Sequence, residues 1–214
     1  MKKTKSTSNK PKRFSLPEDE KNLPWLSMLL DAYHTIDKGV AASLDAERKK
    51  HRKLACAKGC SSCCVTHKDI PIYPLELQGL IWYVTEKFSG PNREVLKIRL
   101  ERFSRDSACP FLIEQACSIH PMRPMACRQF NVFVTSCEKG EDPFHTRRHD
   151  VMDPVKKHVD QAFFIMLPYH GIEKESDRIK FIEAGEMHNM VRELHGCNWK
   201  ALAEKMGEFD KKTV

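Results

Sequence analysis

At 214 residues and 41% hydrophobic content, the chain is long enough to bury a core without covalent staples, so its nine cysteines are not the framework of a small secreted knot. No apolar run approaches the roughly 20 residues of a membrane span. The formal charge is +7, but Lys2, Lys3, Lys5, Lys10, Lys12 and Arg13 supply six of the 36 basic residues, which leaves 30 against 29 acidic ones and no strongly basic body to dock on nucleic acid.

Residues 1–16, rich in Lys, Ser, Thr, Asn and Pro, read as a disordered basic tail, and Met1–Phe14 lacks the apolar stretch of a secretory signal. The expectation is a cytoplasmic protein with reduced thiols, folded as a single domain over 17–214 that carries a cysteine-cluster segment at 54–140. From Trp25, the positions Leu26, Leu29, Leu30, Tyr33, Ile36, Val40 and Leu44 recur at helical spacing behind Pro24 and predict a helix to about Arg52. Its end, Glu47–Lys53, reads as a solvated face.

Leu54–Asp69 has little periodicity and reads as a metal loop, followed by an extended Ile70–Tyr73. Pro74 opens a second helix with Leu77, Leu80, Ile81, Val84 and Phe88 on one face, stopped at Ser89–Pro91. A third, Asn92–Ser104, is expected to bury Val95, Leu96, Leu100 and Phe103. Between Cys109 and Cys137 the prolines at 110, 121 and 124 interrupt regular structure, leaving one helical turn after Pro124 and a short strand at Phe130–Thr135. Helices follow near Pro154–Leu167 and Ser176–His195, the latter with Ile179, Ile182, Met190 and Val191 inward. A last helix is capped by Asn198 and buries Trp199, Leu202 and Met206. The fold class is mainly α, with helices packed around an irregular cysteine-rich metal-binding centre.

The cysteines carry the chemistry. Cys60 and Cys63 have the two-residue gap by which a turn aims two sulfurs at one ion, and Cys56 lies within reach of the same ion. Cys64 directly follows Cys63, and on an extended backbone the two side chains would point to opposite sides, which leaves room for a second ion. Cys109, Cys117, Cys127 and Cys137 are widely spaced and need tertiary assembly, and Cys109–Pro110 matches a step found beside iron–sulfur ligands. Cys197 stands apart and reads as a free or buried thiol. His67, His120 and His145 are secondary candidates, while His149, His158, His170, His188 and His195 are scattered. Arg123 and Arg128 are placed to neutralise thiolates, and Glu76 reads as an ordinary first-turn carboxylate.

The run Cys56-x3-Cys60-x2-Cys63-Cys64, with Cys109-Pro110-Phe111-Leu112, Cys117-Ser118-Ile119-His120, Arg123-Pro124, Cys127-Arg128 and Cys137, resembles the YkgJ-like cysteine-cluster family of zinc- or iron-chelating domains. The resemblance covers about residues 54–140. It implies that Cys56, Cys60, Cys63, Cys64, Cys109, Cys117, Cys127 and Cys137 occupy the family's eight cysteine positions. The expected function is chelation of zinc or iron, including as an iron–sulfur cluster.

Two other functions fit parts of the sequence. One is an iron–sulfur-dependent oxidoreductase or methylase-like enzyme, because flagellin lysine methylases look to carry a related cysteine-rich segment. Cys56, Cys60 and Cys63 also have the bare spacing of radical enzymes, although no glycine-rich phosphate loop or strand-and-barrel context accompanies it. The other is a metal-stabilised interaction module whose basic tail touches nucleic acid or a protein partner.

Overall fold

The computed structural model describes residues 10–213, so the first nine positions of the basic tail lie outside the described residues. From Lys10 the chain runs against the fold, where Arg13 pairs with Glu20 at 2.7 Å and with Asp31 at 2.6 Å. In chain order the elements are α1 (Pro17–Asn22), α2 (Pro24–Lys49), α3 (Ser62–Thr66), β1 (Pro71–Ile72), α4 (Pro74–Trp82), α5 (Asn92–Glu101), β2 (Leu112–Ile113), β3 (Ala116–Cys117), α6 (Met125–Gln129), α7 (Pro143–Thr146), α8 (Lys156–Met166), α9 (Glu175–Glu183), β4 (Arg192–Glu193) and α10 (Trp199–Thr213). The protein is mainly α, and its strands form two short antiparallel pairs, β1 with β4 and β2 with β3. No helix among the described residues is long and apolar enough to cross a membrane.

Two apolar cores organise these elements. In the first, Leu26, Leu29, Leu30, Tyr33 and Ile36 of α2 meet Phe163 and Met166 of α8, together with Met122 and Met125. The spacing of the α2 residues puts them on one stripe of a helix, which is why the longest helix becomes the spine. The second gathers Leu80 of α4, Leu96 and Leu100 of α5, and Trp199, Leu202 and Met206 of α10 around Phe111 and Ile119. The α10 helix begins as expected, with Asn198 Oδ1 accepting the Ala201 N–H at 3.1 Å.

Several expectations need correction. Val95 is 49% exposed, because the buried stripe of α5 runs through Leu96 and Leu100, one turn apart, and Val95 falls off that line. The single helix expected over Ser176–His195 ends at Glu183: Gly185 turns left-handed at φ +73°, and Arg192–Glu193 becomes β4, paired with Pro71–Ile72. Ile179 and Val191, both expected inward, are exposed. The strand expected at Phe130–Thr135 is reduced to isolated bridges of Val132 with Val151 and Phe133 with Leu54. The β2–β3 hairpin was not expected, since its turn residues Glu114 and Gln115 adopt positive φ without the usual Asn-Gly signature.

A buried polar network fixes the 121–129 segment. Glu76 is fully buried and not the ordinary first-turn carboxylate expected: Oε2 accepts the Tyr73 N–H at 3.1 Å and Oε1 the Met125 N–H at 2.7 Å. Arg128 donates to both Asp37 carboxylate oxygens, at 2.9 and 3.1 Å, and to the carbonyls of Arg123 and Pro121, with its guanidinium 4.0 Å from the Tyr33 ring centroid.

Burial pushes the Glu76 carboxyl up to about 7 from 4.5, against the two N–H donors that favour its ionised form. The folded chain therefore holds this proton more tightly than the unfolded chain. The stability this gives is fully present below about 4.5 and is lost as pH rises through about 7, a loss on the order of 3 kcal/mol. Chemical denaturation at pH 5 and pH 8 is expected to show this decline in the native sequence and a flatter profile in Glu76→Gln. Arg128→Met, which leaves Asp37 and two carbonyls without their donor, is expected to lose about 3 kcal/mol in the same assay.

Candidate metal centre

Four stretches of backbone deliver the cysteines. Lys53–Cys56 runs beside Val132–Val134: Ala55 N–H donates to Val132 O, Val134 N–H to Lys53 O, and Val132 N–H to Cys56 Sγ at 3.3 Å. A turn closed by Cys60 N–H to Ala57 O at 3.0 Å, with Gly59 at φ +86°, carries the chain to Cys60 on the exposed surface. Cys63 and Cys64 then fall on α3, not on extended backbone as expected, and both face the same cavity. Cys109 N–H donates to Cys64 O at 2.7 Å, the hairpin sets Cys117 opposite Leu112, and Cys127 rides on α6.

Seven of the eight candidate cysteines, 56, 60, 63, 64, 109, 117 and 127, line one cavity of about 500 Å³, which Phe111, Ile119 and Leu194 of the second core also line. Cys137 is not on its wall, yet the thiols that act on it are Cys56 and Cys60. The sulfurs surround the space without closing on a point: among the described residues, no three His, Cys, Asp or Glu side chains form a ready-made ion cage. A groove of about 690 Å³ elsewhere among the described residues has Cys197 as the one cysteine in its lining, so size alone does not locate the chemistry.

The wall carries two fixed cations, Lys58 and Arg123, and no carboxylate. Arg123 makes no ion pair among the described residues, and its Nε is enclosed without a hydrogen-bond partner. Arg128, expected beside the thiols, is turned instead toward Tyr33 and Asp37.

Five of the cavity thiols, Cys56, Cys63, Cys64, Cys117 and Cys127, are pushed toward their neutral form. The hydrogen-bonded Cys64 thiol, then burial, pushes Cys63 strongly upward, and Cys109 pushes Cys64 up to about 12. Burial raises Cys56, Cys117 and Cys127, and Arg123 opposes the shift at each. One guanidinium does not outweigh burial and crowding, so ionising several of these sulfurs together requires a further positive charge inside the cavity. This donor set suits a thiophilic cation such as zinc or iron.

Of the candidate histidines, His67 and His120 lie on the wall. His67 is buried, with Nε2 3.3 Å from Asp142 Oδ1, Nδ1 2.9 Å from Thr66 Oγ1 and its ring edge-on to Phe130. His145 is exposed beside Asp142 and does not reach the cavity. Sequence reasoning missed Lys58, Gln115 and Asn131, which also line it. Gln115 reaches Ser61 from the tip of the unexpected hairpin, and only the absence of acidic residues near Lys58 hinted at its role.

The model of the CxxCxxCC family, "Putative zinc- or iron-chelating domain", matches residues 55–151. No curated protein and no solved structure matches the chain. In the reduced, metal-free chain, exposed Cys60 is expected to react with a maleimide at least about tenfold faster than enclosed Cys127, as read by peptide mapping after timed labelling.

Proposed function

On the match of residues 55–151 to the model of the CxxCxxCC family, we propose that the cavity is a metal centre that chelates zinc or iron through cysteine thiolates. The ligands are Cys56, Cys60, Cys63, Cys64, Cys109, Cys117 and Cys127, joined by Cys137 from its edge. The observation that carries this reading is the meeting of seven cysteines, drawn from segments up to 71 positions apart, on one wall free of carboxylates. A bound cation supplies the positive charge that lets thiolates persist there. Arg123 adds a fixed counter-charge, and the Val132 N–H directs the Cys56 sulfur by hydrogen bonding.

Iron held as an iron–sulfur cluster is the finer form of this reading. The Cys109–Pro110 step agrees with cluster ligation. Anaerobic purification followed by elemental analysis and visible absorption separates the two: a brown protein contains iron–sulfur and a colourless one contains zinc. Cys60→Ala is expected to lower metal content and thermal stability together, while Cys197→Ala changes neither. A folded native chain that carries no metal and has freely reactive thiols would rule the function out.

A further inference from the structure

We propose that the eight cysteines divide into two four-sulfur subsites, an outer one of Cys56, Cys60, Cys63 and Cys137 and an inner one of Cys64, Cys109, Cys117 and Cys127. The division rests on the chelating function proposed above. It is drawn from the backbone pairings that bring the cysteine segments together, which fall into two separate systems.

The outer system is the pairing of 53–56 with 132–134. It places Cys56 against Val132, and the chain then doubles back at once: Thr135 N–H donates to Phe133 O at 2.9 Å, and Val134 takes φ +69°. A β-branched residue in left-handed conformation is a costly way to turn a chain. The turn's effect is to bring Cys137, three positions later, back to the outer edge where Cys56 and Cys60 lie. Cys60 and Cys63 join the same group through the short loop that links them to Cys56.

The inner system is separate. The Cys109 N–H to Cys64 O bond sets these two residues side by side, and the β2–β3 hairpin folds Cys117 back over the start of its own segment, where Ser118 N–H donates to Phe111 O at 2.9 Å. Cys127 closes the group from α6, held by Glu76 and Arg128 through its neighbours. None of these contacts uses the 53–56 or 132–137 segments.

The seam between the systems is the Cys63–Cys64 pair. Consecutive residues of an α-helix diverge by about 100°, yet the Cys63 thiol is hydrogen-bonded to that of Cys64, so the two sulfurs meet where the subsites adjoin, and Cys63 is assigned outward because its loop also brings it against Cys56. The cavity has the room: a four-thiolate shell with metal–sulfur bonds of about 2.3 Å needs only ~4 Å between sulfurs, far less than 500 Å³ of space provides. Four donors on each side also match the closed tetrahedral complement for two ions.

The test uses the full-length chain, stripped of metal and reduced under anaerobic conditions. Titration with Zn(II), followed by native mass spectrometry, is expected to saturate at two ions per chain, and the ¹¹³Cd-loaded protein to show two cadmium resonances. Cys137→Ser is expected to remove one ion and one resonance, and Cys109→Ser to remove the other. Saturation of the native chain at any other number, or a single cadmium resonance, overturns the division. So does loss of both ions in either variant when its far-ultraviolet circular dichroism is unchanged. The native-chain readouts stand even if a variant fails to fold. A native chain that takes up no metal sinks the chelating function itself, whereas one that takes up a single ion sinks only the division.

Discussion

The contact between Arg128 and the carbonyls of the proline-broken 121–124 segment is the constraint on which the cavity depends. That segment cannot satisfy its own backbone in a regular ladder, and α6 is only five residues long, too short to be stable alone. A planar guanidinium supplies what an apolar side chain could not: donors in a fixed fork that reach Arg123 O, Pro121 O and Asp37 of α2 together. Glu76 performs the matching task from α4, accepting the orphan N–H at the start of α6. The wall that carries Cys127 and Arg123 is therefore aimed by two buried ionisable side chains, Arg128 and Glu76. Its precision comes from hydrogen bonds to irregular backbone, and the apolar cores only hold the partners in place.

The same placement sets the electrostatics of the site. Arg128 is consumed by its structural contacts, which leaves Arg123 and Lys58 as the fixed charges on the cavity wall. Burial and mutual crowding push five of the cavity thiols toward the protonated form, and a guanidinium without a carboxylate partner favours the opposite outcome. The balance leaves these sulfurs neutral until a cation enters, and the protons they then release tie affinity to pH.

The cysteine segments and most helices were legible in the sequence because their signals are local. Pro24 and the α2 stripe, Asn198 with its cap, and the two-residue gap of Cys60 and Cys63 each need only a few neighbouring positions to be read. What was not legible depends on partners distant in the chain. Glu76 looks like any first-turn carboxylate until Met125, 49 positions later, claims its second oxygen. Arg123 and Arg128 look alike in sequence, yet Asp37 and Tyr33 draw one away and leave the other on the cavity. The left-handed turn at Gly185 and the pairing of Arg192–Glu193 with β1 are likewise tertiary outcomes that override a continuous helical pattern.

The position of the sulfurs beside the second core says what a cation gripped there would stabilise. Phe111, Ile119 and Leu194 face the cavity from the core built on α4, α5 and α10, while the wall residues Arg123 and Pro124 lie in the chain between Met122 and Met125 of the core built on α2 and α8. Each core buries its own helices through its own apolar contacts, so neither needs a metal to form. The segment 54–61 has a single buried residue, Ser61, and is fixed mainly by single backbone hydrogen bonds, whereas Pro110–Ile113 after Cys109 is buried. Ligation would thus express its free energy chiefly as ordering of the 54–61 segment. That explains why so many ligands lie in loops: the loops are the part of the chain whose order the cores do not already guarantee.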